Sequence, residues 1–284
     1  MGDGGYARMT FSVPDGLRRS PFYDRLETAV RAISAAGPAL MRLRGVATEG
    51  TDTGEQLKTA VDLAAEGWVT GYLEGRHPGD VLLCEERYER DPDAWRPADA
   101  FWTVDALDGT RSYVEGFDGF CVQVAYVSDG APRLGAIMEP VADVCFAAIE
   151  GCGAHRLTIE GSSRLPLLDR PPESLRFVDS RPPRGLAGAV MQRLDARFVE
   201  HGGIGGKLCR IADGSADVLM KELAFKLWDV APGDCILREL GGFVSGFDGA
   251  PLPYDGSTVR FERLLASRAV LRDPLIAAAA EVAA

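Results

Sequence analysis

The sequence predicts a layered α/β (α+β) enzyme fold in which helix and sheet layers alternate. Three observations predict it. Two long helical patterns open the chain, a meander of short apolar strands follows, and the second half alternates strand with helix. The 284 residues are 46% hydrophobic and 26% charged, an ordinary globular composition able to bury a sizeable core. No internal repeat of about 20–50 residues is present.

Across residues 21–44, Leu26, Ala29, Val30, Ile33, Ala36, Leu40 and Leu43 recur at helical spacing. Pro38 is expected to bend or split that helix, because it lacks an N–H and crowds the preceding turn. A second helix spans residues 60–74, with Val61, Ala64, Ala65, Trp68, Val69 and Tyr72 on one side. Residues 80–84 read as a buried strand running into Glu85-Glu86, and residues 101–104 as another that ends on Asp105. Strands at 120–127 and 134–138 flank a Ser128-Asp129-Gly130 turn, and a strand at 144–149 continues the meander until Gly151 and Gly153 end it.

Beyond the meander, the pattern gives a strand at 175–178, helices at 186–200 and 204–214, and a strand at 216–220. A helix at 229–240 then ends on Gly241-Gly242, followed by a strand at 243–244 and an Ala-rich helix at 274–284. The expected organisation is a flexible, Gly-rich leader over residues 1–19, an N-terminal α+β half over 20–165 and a C-terminal α/β half over 166–284. The Pro-rich stretch 165–172 marks the boundary between the halves.

Asp and Glu number 42 against 31 Lys and Arg, a net charge of −11. That balance argues against a nucleic-acid polymer or a membrane surface as partner. It leaves anionic small molecules open, since a bound cation inverts the sign of one cleft. Six cysteines carry no CxxC pair, so reduced thiols and a cytoplasmic location are expected. His77, His155 and His201 stand at no ligand spacing, which disfavours a histidine zinc site and a Ser–His–Asp triad. No apolar run reaches about 18 residues, so no membrane-spanning helix is expected. Arg18-Arg19 precedes charged residues rather than an apolar signal region.

The most informative segment is Trp102-Thr103-Val104-Asp105-Ala106-Leu107-Asp108-Gly109-Thr110. Two carboxylates at i and i+3 leave an apolar strand for a turn, which can aim both acids and a carbonyl at one point. Such hard oxygen donors suit Mg²⁺. Gly109 and Thr110 would open a new element whose free N–H groups can hold phosphate oxygens. Glu85-Glu86 and Trp228-Asp229 likewise set acids at the edge of buried segments, where an uncompensated charge is costly. Taken alone, each acid also reads as a solvated turn or helix-face residue.

Taken together and in order, Cys84-Glu85-Glu86, Asp105-Ala106-Leu107-Asp108-Gly109-Thr110 and Trp228-Asp229-Val230-Ala231-Pro232-Gly233 resemble the motifs of the inositol-monophosphatase superfamily of Mg²⁺-dependent, lithium-sensitive phosphomonoesterases. The resemblance covers residues 25–270 and implies the sugar-phosphatase, or inositol-monophosphatase-like, fold. It implies Glu85, Asp105, the Leu107 carbonyl, Asp108 and Asp229 as ligands of two or three Mg²⁺. It further implies that Asp62 and Thr110 act as catalytic residues on the attacking water, with Glu86 beside them, and that the protein is a homodimer. Ala106 stands where the family has Pro, and Cys84 where it has Gly; no ligand position is lost.

Substrate choice is read from the second half. Gly202-Gly203-Ile204-Gly205-Gly206-Lys207 resembles the 3′(2′),5′-bisphosphate nucleotidase branch, which implies Lys207 facing a second phosphate. Asp179-Ser180-Arg181-Pro182 keeps the Ser-Arg of that branch and lacks its His. The substrate-binding candidates are therefore Gly109, Thr110, Lys207, Ser180 and Arg181, and the expected ligand is a small phosphorylated metabolite. An inositol, sugar or specialised-metabolite phosphate stays open as the alternative, and a non-catalytic metal- or phosphate-binding regulator is the distant one. A dehalogenase-type Asp-x-Asp-x-Thr nucleophile does not fit the i, i+3 spacing, and no P-loop is present.

Overall fold

A computed structural model describes residues 11–47 and 54–283. Helices α1 (Tyr23–Ala47) and α2 (Gly54–Arg76) cover one face of a seven-stranded sheet. Its strands are β1 (Val81–Cys84), β2 (Ala100–Asp108), β3 (Cys121–Ser128), β4 (Ala131–Glu139), β5 (Val144–Ile149), β6 (Gly153–Thr158) and β7 (Gly161–Arg164), paired in sequence order. Only β1–β2 is parallel; the remaining pairs are antiparallel. Short helices α3 (Glu85–Arg90) and α4 (Thr110–Glu115) follow β1 and β2 at one end of the sheet.

The second sheet has the order β12-β14-β10-β8-β9, from β8 (Arg176–Asp179), β9 (Arg197–Glu200), β10 (Val218–Lys221), β12 (Gly242–Ser245) and β14 (Leu264–Arg268). A two-stranded ribbon pairs β11 (Phe225–Lys226) with β13 (Arg260–Phe261). Helices α6 (Ile204–Ala212) and α7 (Leu227–Glu239) lie between the two sheets, and α5 (Gly185–Arg193) and α8 (Arg272–Ala283) cover the far side of the second. Five layers result, helix and sheet alternating as the sequence predicts.

The period-two alternation of the strands decides which core each residue enters. Trp102, Val104, Val122, Val124, Ala136 and Met138 join α1 and α2, whereas Phe101, Ala125, Val127, Ile137 and Phe146 join α6 and α7. At about 25 cal/mol per Å² of apolar surface, these two cores are the main driving force for the layering.

Several expectations are corrected. Residues 11–19 are no flexible leader: Phe11, Val13 and Leu17 are buried against α1, and Asp15–Leu17 form a 3₁₀ turn. Residues 1–10 lie outside the described residues. Pro38 does not split α1, which runs unbroken, held by the apolar face it buries. The meander continues past Gly153 through β6 and β7, because the positive φ of Gly151 turns the chain back rather than ending the sheet. The helix expected over 186–200 stops at Arg193. Asp195 takes φ +48°, and Phe198-Val199 extend as β9 beside β8. Segment 165–172 crosses between the sheets, with Leu165 and Leu168 buried in the core that both share. The six cysteines are unpaired, and no described helix is long and apolar enough to cross a membrane.

Candidate active site

Strand parity carries Asp105 to the same side as Phe101, toward α7. The strand does not end there. β2 runs on to Asp108 through a bulge that slips its register on β3 between Asp105 and Asp108. The i, i+3 pair expected to straddle a turn is thus a bulged strand end. The bulge folds around its own carboxylate: the Leu107 N–H donates to Asp105 Oδ1 at 3.0 Å. Thr110 Oγ1 donates to the Leu107 carbonyl at 3.1 Å. Gly109 (φ +83°) then breaks the strand, and a Cβ there would stand 2.8 Å from the Gly119 carbonyl.

Other elements bring the remaining acids to this point. Glu85 is the first residue of α3 and Asp229 lies in the first turn of α7, where its Oδ2 accepts the Lys226 N–H at 2.6 Å. Asp108 Oδ2 accepts the Gly205 N–H at 2.6 Å and faces Cys121 Sγ at 3.4 Å. Gln123 Nε2 reaches both Asp105 Oδ2 and the Asp229 carbonyl at 3.4 Å. Glu66 on α2 accepts the Glu86 N–H at 2.7 Å and the Arg87 N–H at 3.2 Å, so it caps α3 and fixes where Glu85 begins.

Glu66, Gln123 and Gly205 therefore build the site; sequence reasoning missed the first two and read the third only within a substrate motif. A signal existed for two of them. Glu66 sits at i+4 from Asp62 on one helix face, and Gln123 is a lone amide in an apolar strand. Asp62 is buried, and after burial itself its charge helps push the Tyr113 hydroxyl up to about 12. Glu86 is half-buried beside Glu85.

Burial and like charge dominate the electrostatics, although Lys221 and Lys226 pull Asp229 the other way. Burial first, then the charge of Asp229, pushes Glu85 up to about 8. Burial, then Glu85 and Asp108, raises Asp105 well above the carboxylate range. Asp229 keeps part of its surface open, yet burial and the Asp108 charge push it up to about 7. Glu85 and Asp105 lie close enough that ionising both at once is costly. No three acidic, His or Cys side chains among the described residues form a ready-made metal cage. The donor set nevertheless fits a hard cation: four partly buried carboxylates and a strand-end carbonyl, whose gathered like charge is costly unless a cation compensates it.

Beside Gly109 opens a cleft of about 770 Å³, lined among others by Ser112, Phe117, Ser180, Arg181, His201 and Arg210. Arg210 and His201 both pair with the buried Glu139, whereas Arg181 is exposed and makes no ion pair with any described residue. Lys207, expected to face a phosphate, is 1% exposed. Its Nζ is 2.9 Å from Asp179 Oδ1 and donates to Ser180 Oγ at 2.8 Å. Burial and the neighbouring Lys221 lower it to about 8. Burial would raise Asp179, but the charges of Lys207 and Lys221 prevail and hold it below its ordinary value.

The inositol monophosphatase family profile matches residues 23–283. The chain belongs to that family. Its members are phosphoric monoester hydrolases that act on small phosphorylated substrates and depend on a metal, generally Mg²⁺. A 3′(2′),5′-bisphosphate nucleotidase, CysQ, of Shigella flexneri is 28% identical over 69% of this chain and 78% of its own length. Inositol monophosphatase 3 of Solanum lycopersicum is 29% identical over 89% of this chain and 95% of its own. The inositol monophosphatase structure from Anabaena superposes with a TM-score of 0.73 at 25% identity, covering 92% of this chain and 97% of that one. Five alternating layers are thus the fold of the inositol monophosphatases.

Proposed function

We propose that the protein is a Mg²⁺-dependent phosphomonoesterase that holds two or three ions at Glu85, Asp105, the Leu107 carbonyl, Asp108 and Asp229. The observation that carries this reading is the cluster of four acidic side chains at the ends of β1 and β2 and the start of α7, where burial and like charge outweigh the pull of Lys221 and Lys226 on Asp229. Bound Mg²⁺ would neutralise the phosphoryl oxygens and lower the pKa of water. The chain's own residues do the rest. N–H groups opening α4 after Gly109 and Thr110 receive phosphoryl oxygens. Asp62 and Thr110 orient the attacking water and take its proton, with Glu86 alongside. The reading extends to inhibition by lithium, a homodimer and a cytoplasmic location.

For substrate, a 3′(2′),5′-bisphosphate nucleotide comes first. It is supported by the likeness to CysQ and by Arg181, an exposed guanidinium on the cleft wall suited to a second anion. An inositol or sugar monophosphate is the second reading, favoured by the burial of Lys207 and its engagement with Asp179 and Ser180. A phosphate-release panel with Mg²⁺ tests both, comparing adenosine 3′,5′-bisphosphate, inositol 1-phosphate, fructose 1,6-bisphosphate and histidinol phosphate. Preference for the first supports the nucleotidase reading; release from none of them under any divalent cation removes the phosphatase reading.

A further inference from the structure

Asp108 is held from outside its own strand, and the support can be followed residue by residue. The Gly205 N–H donates to its Oδ2, and Gly203 packs so tightly on the carboxylate that any Cβ there would collide with it. The segment 202–205 is itself fixed twice. Gly203 N–H donates to the Gly119 carbonyl at 2.6 Å, and the Gly202 carbonyl accepts from Ser180 Oγ at 3.0 Å. Ser180 Oγ in turn accepts from Lys207 Nζ, and the Ser180 N–H donates to Asp179 Oδ1 at 2.7 Å. Asp179 pairs with Lys207 and lies 3.5 Å from Lys221 Nζ. A continuous chain of contacts therefore runs from the end of β8, through one turn of α6, to a carboxylate on β2.

We infer that Lys207 is a positioning residue: with Asp179 and Ser180 it clamps the glycine segment 202–205 against Asp108 and so sets the aim of that carboxylate. This role rests on the reading of Asp108 as a Mg²⁺ ligand. It differs from a substrate contact, because the buried ammonium is already engaged by Asp179 Oδ1 and Ser180 Oγ. Groups that orient a ligand from behind influence metal affinity by about 10–100-fold, so the clamp acts on every substrate alike.

The test is Lys207→Met in the full chain, read by calorimetric titration with Mg²⁺ alone, thermal unfolding, and phosphate release from adenosine 3′,5′-bisphosphate and inositol 1-phosphate. The expected result is Mg²⁺ binding weakened about tenfold, with kcat/KM falling by a similar factor on both substrates. Unchanged Mg²⁺ binding with a KM rise confined to the bisphosphate overturns the inference and makes Lys207 a phosphate contact. If Lys207→Met does not unfold cooperatively, Ser180→Ala replaces it, and about threefold weaker Mg²⁺ binding is expected; no change there overturns the clamp. Wild-type protein that binds no Mg²⁺ overturns both this role and the phosphatase reading. Wild-type binding equalled by both variants overturns the role alone.

Discussion

Two polar clusters are set into this molecule, and they are opposites. At the ends of β1, β2 and the start of α7, burial and neighbouring carboxylates raise the proton affinity of Glu85, Asp105 and Asp229. Some distance along the chain, Asp179, Lys207 and Lys221 satisfy one another, with the carboxylate held low and the ammonium fully enclosed. Like charges gathered in a low-dielectric place are costly unless something arrives to compensate them. Opposite charges with complete hydrogen bonding need no visitor. The contrast separates a site from its scaffold without reference to any relative.

The sharpest way to break that contrast is Asp105→Asn. Removing one ligand charge is expected to lower kcat by about 10³-fold or more while the protein stays folded; near-normal turnover measured with saturating Mg²⁺ would falsify the assignment. A control lies in the scaffold of the second sheet, where Asp217 is fully buried between Arg176 (2.8 Å) and Arg268 (2.9 Å). Asp217→Asn leaves two guanidinium groups without their shared partner. It should cost about 3 kcal/mol of stability by denaturant titration, with Mg²⁺ affinity unaltered.

Metal removal distinguishes the clusters more gently. Glu85, Asp105 and Asp229 all stand above their ordinary values, so between about pH 5 and about pH 8 these three side chains hold protons in the folded metal-free protein that they release in the unfolded chain. Its stability therefore declines as pH rises through that window. Melting curves in chelator should show a falling Tm, and added Mg²⁺ should flatten the fall by displacing the protons. Equal slopes with and without Mg²⁺ would separate the carboxylates from cation binding. The smallest effect is expected at the cleft wall: Arg181→Ala should raise KM for a bisphosphate about threefold, leaving kcat and the KM for inositol 1-phosphate in place.

Much of the site was legible before folding because its acids mark the ends of apolar segments. Asp105 and Asp108 follow the run 101–104, Glu85 follows 80–84, and Asp229 opens an apolar helix. Less legible was the geometry joining them. The expected turn after Asp105 is a bulge, because pairing with β3 holds the chain extended as far as Asp108. Glu66 is not legible as a site residue, since its partners, the N–H groups of Glu86 and Arg87, lie about twenty residues on. Within the 1–19 leader, Phe11, Val13 and Leu17 make no periodic pattern in the sequence; only the surface they pack on gives Phe11 and Leu17 a place.

The sequence by itself determined the layered class, the order of most elements and the identity of the carboxylates. Those depend on periodicity and on local backbone geometry, which act over a few residues. Tertiary structure alone decided which carboxylates face one another, that Gly205 holds Asp108, and that Lys207 turns into a buried pocket instead of the open cleft. The physical reason is range. A side chain's charge state and partner follow from what lies within a few ångströms in space, and here those neighbours come from segments more than a hundred residues apart.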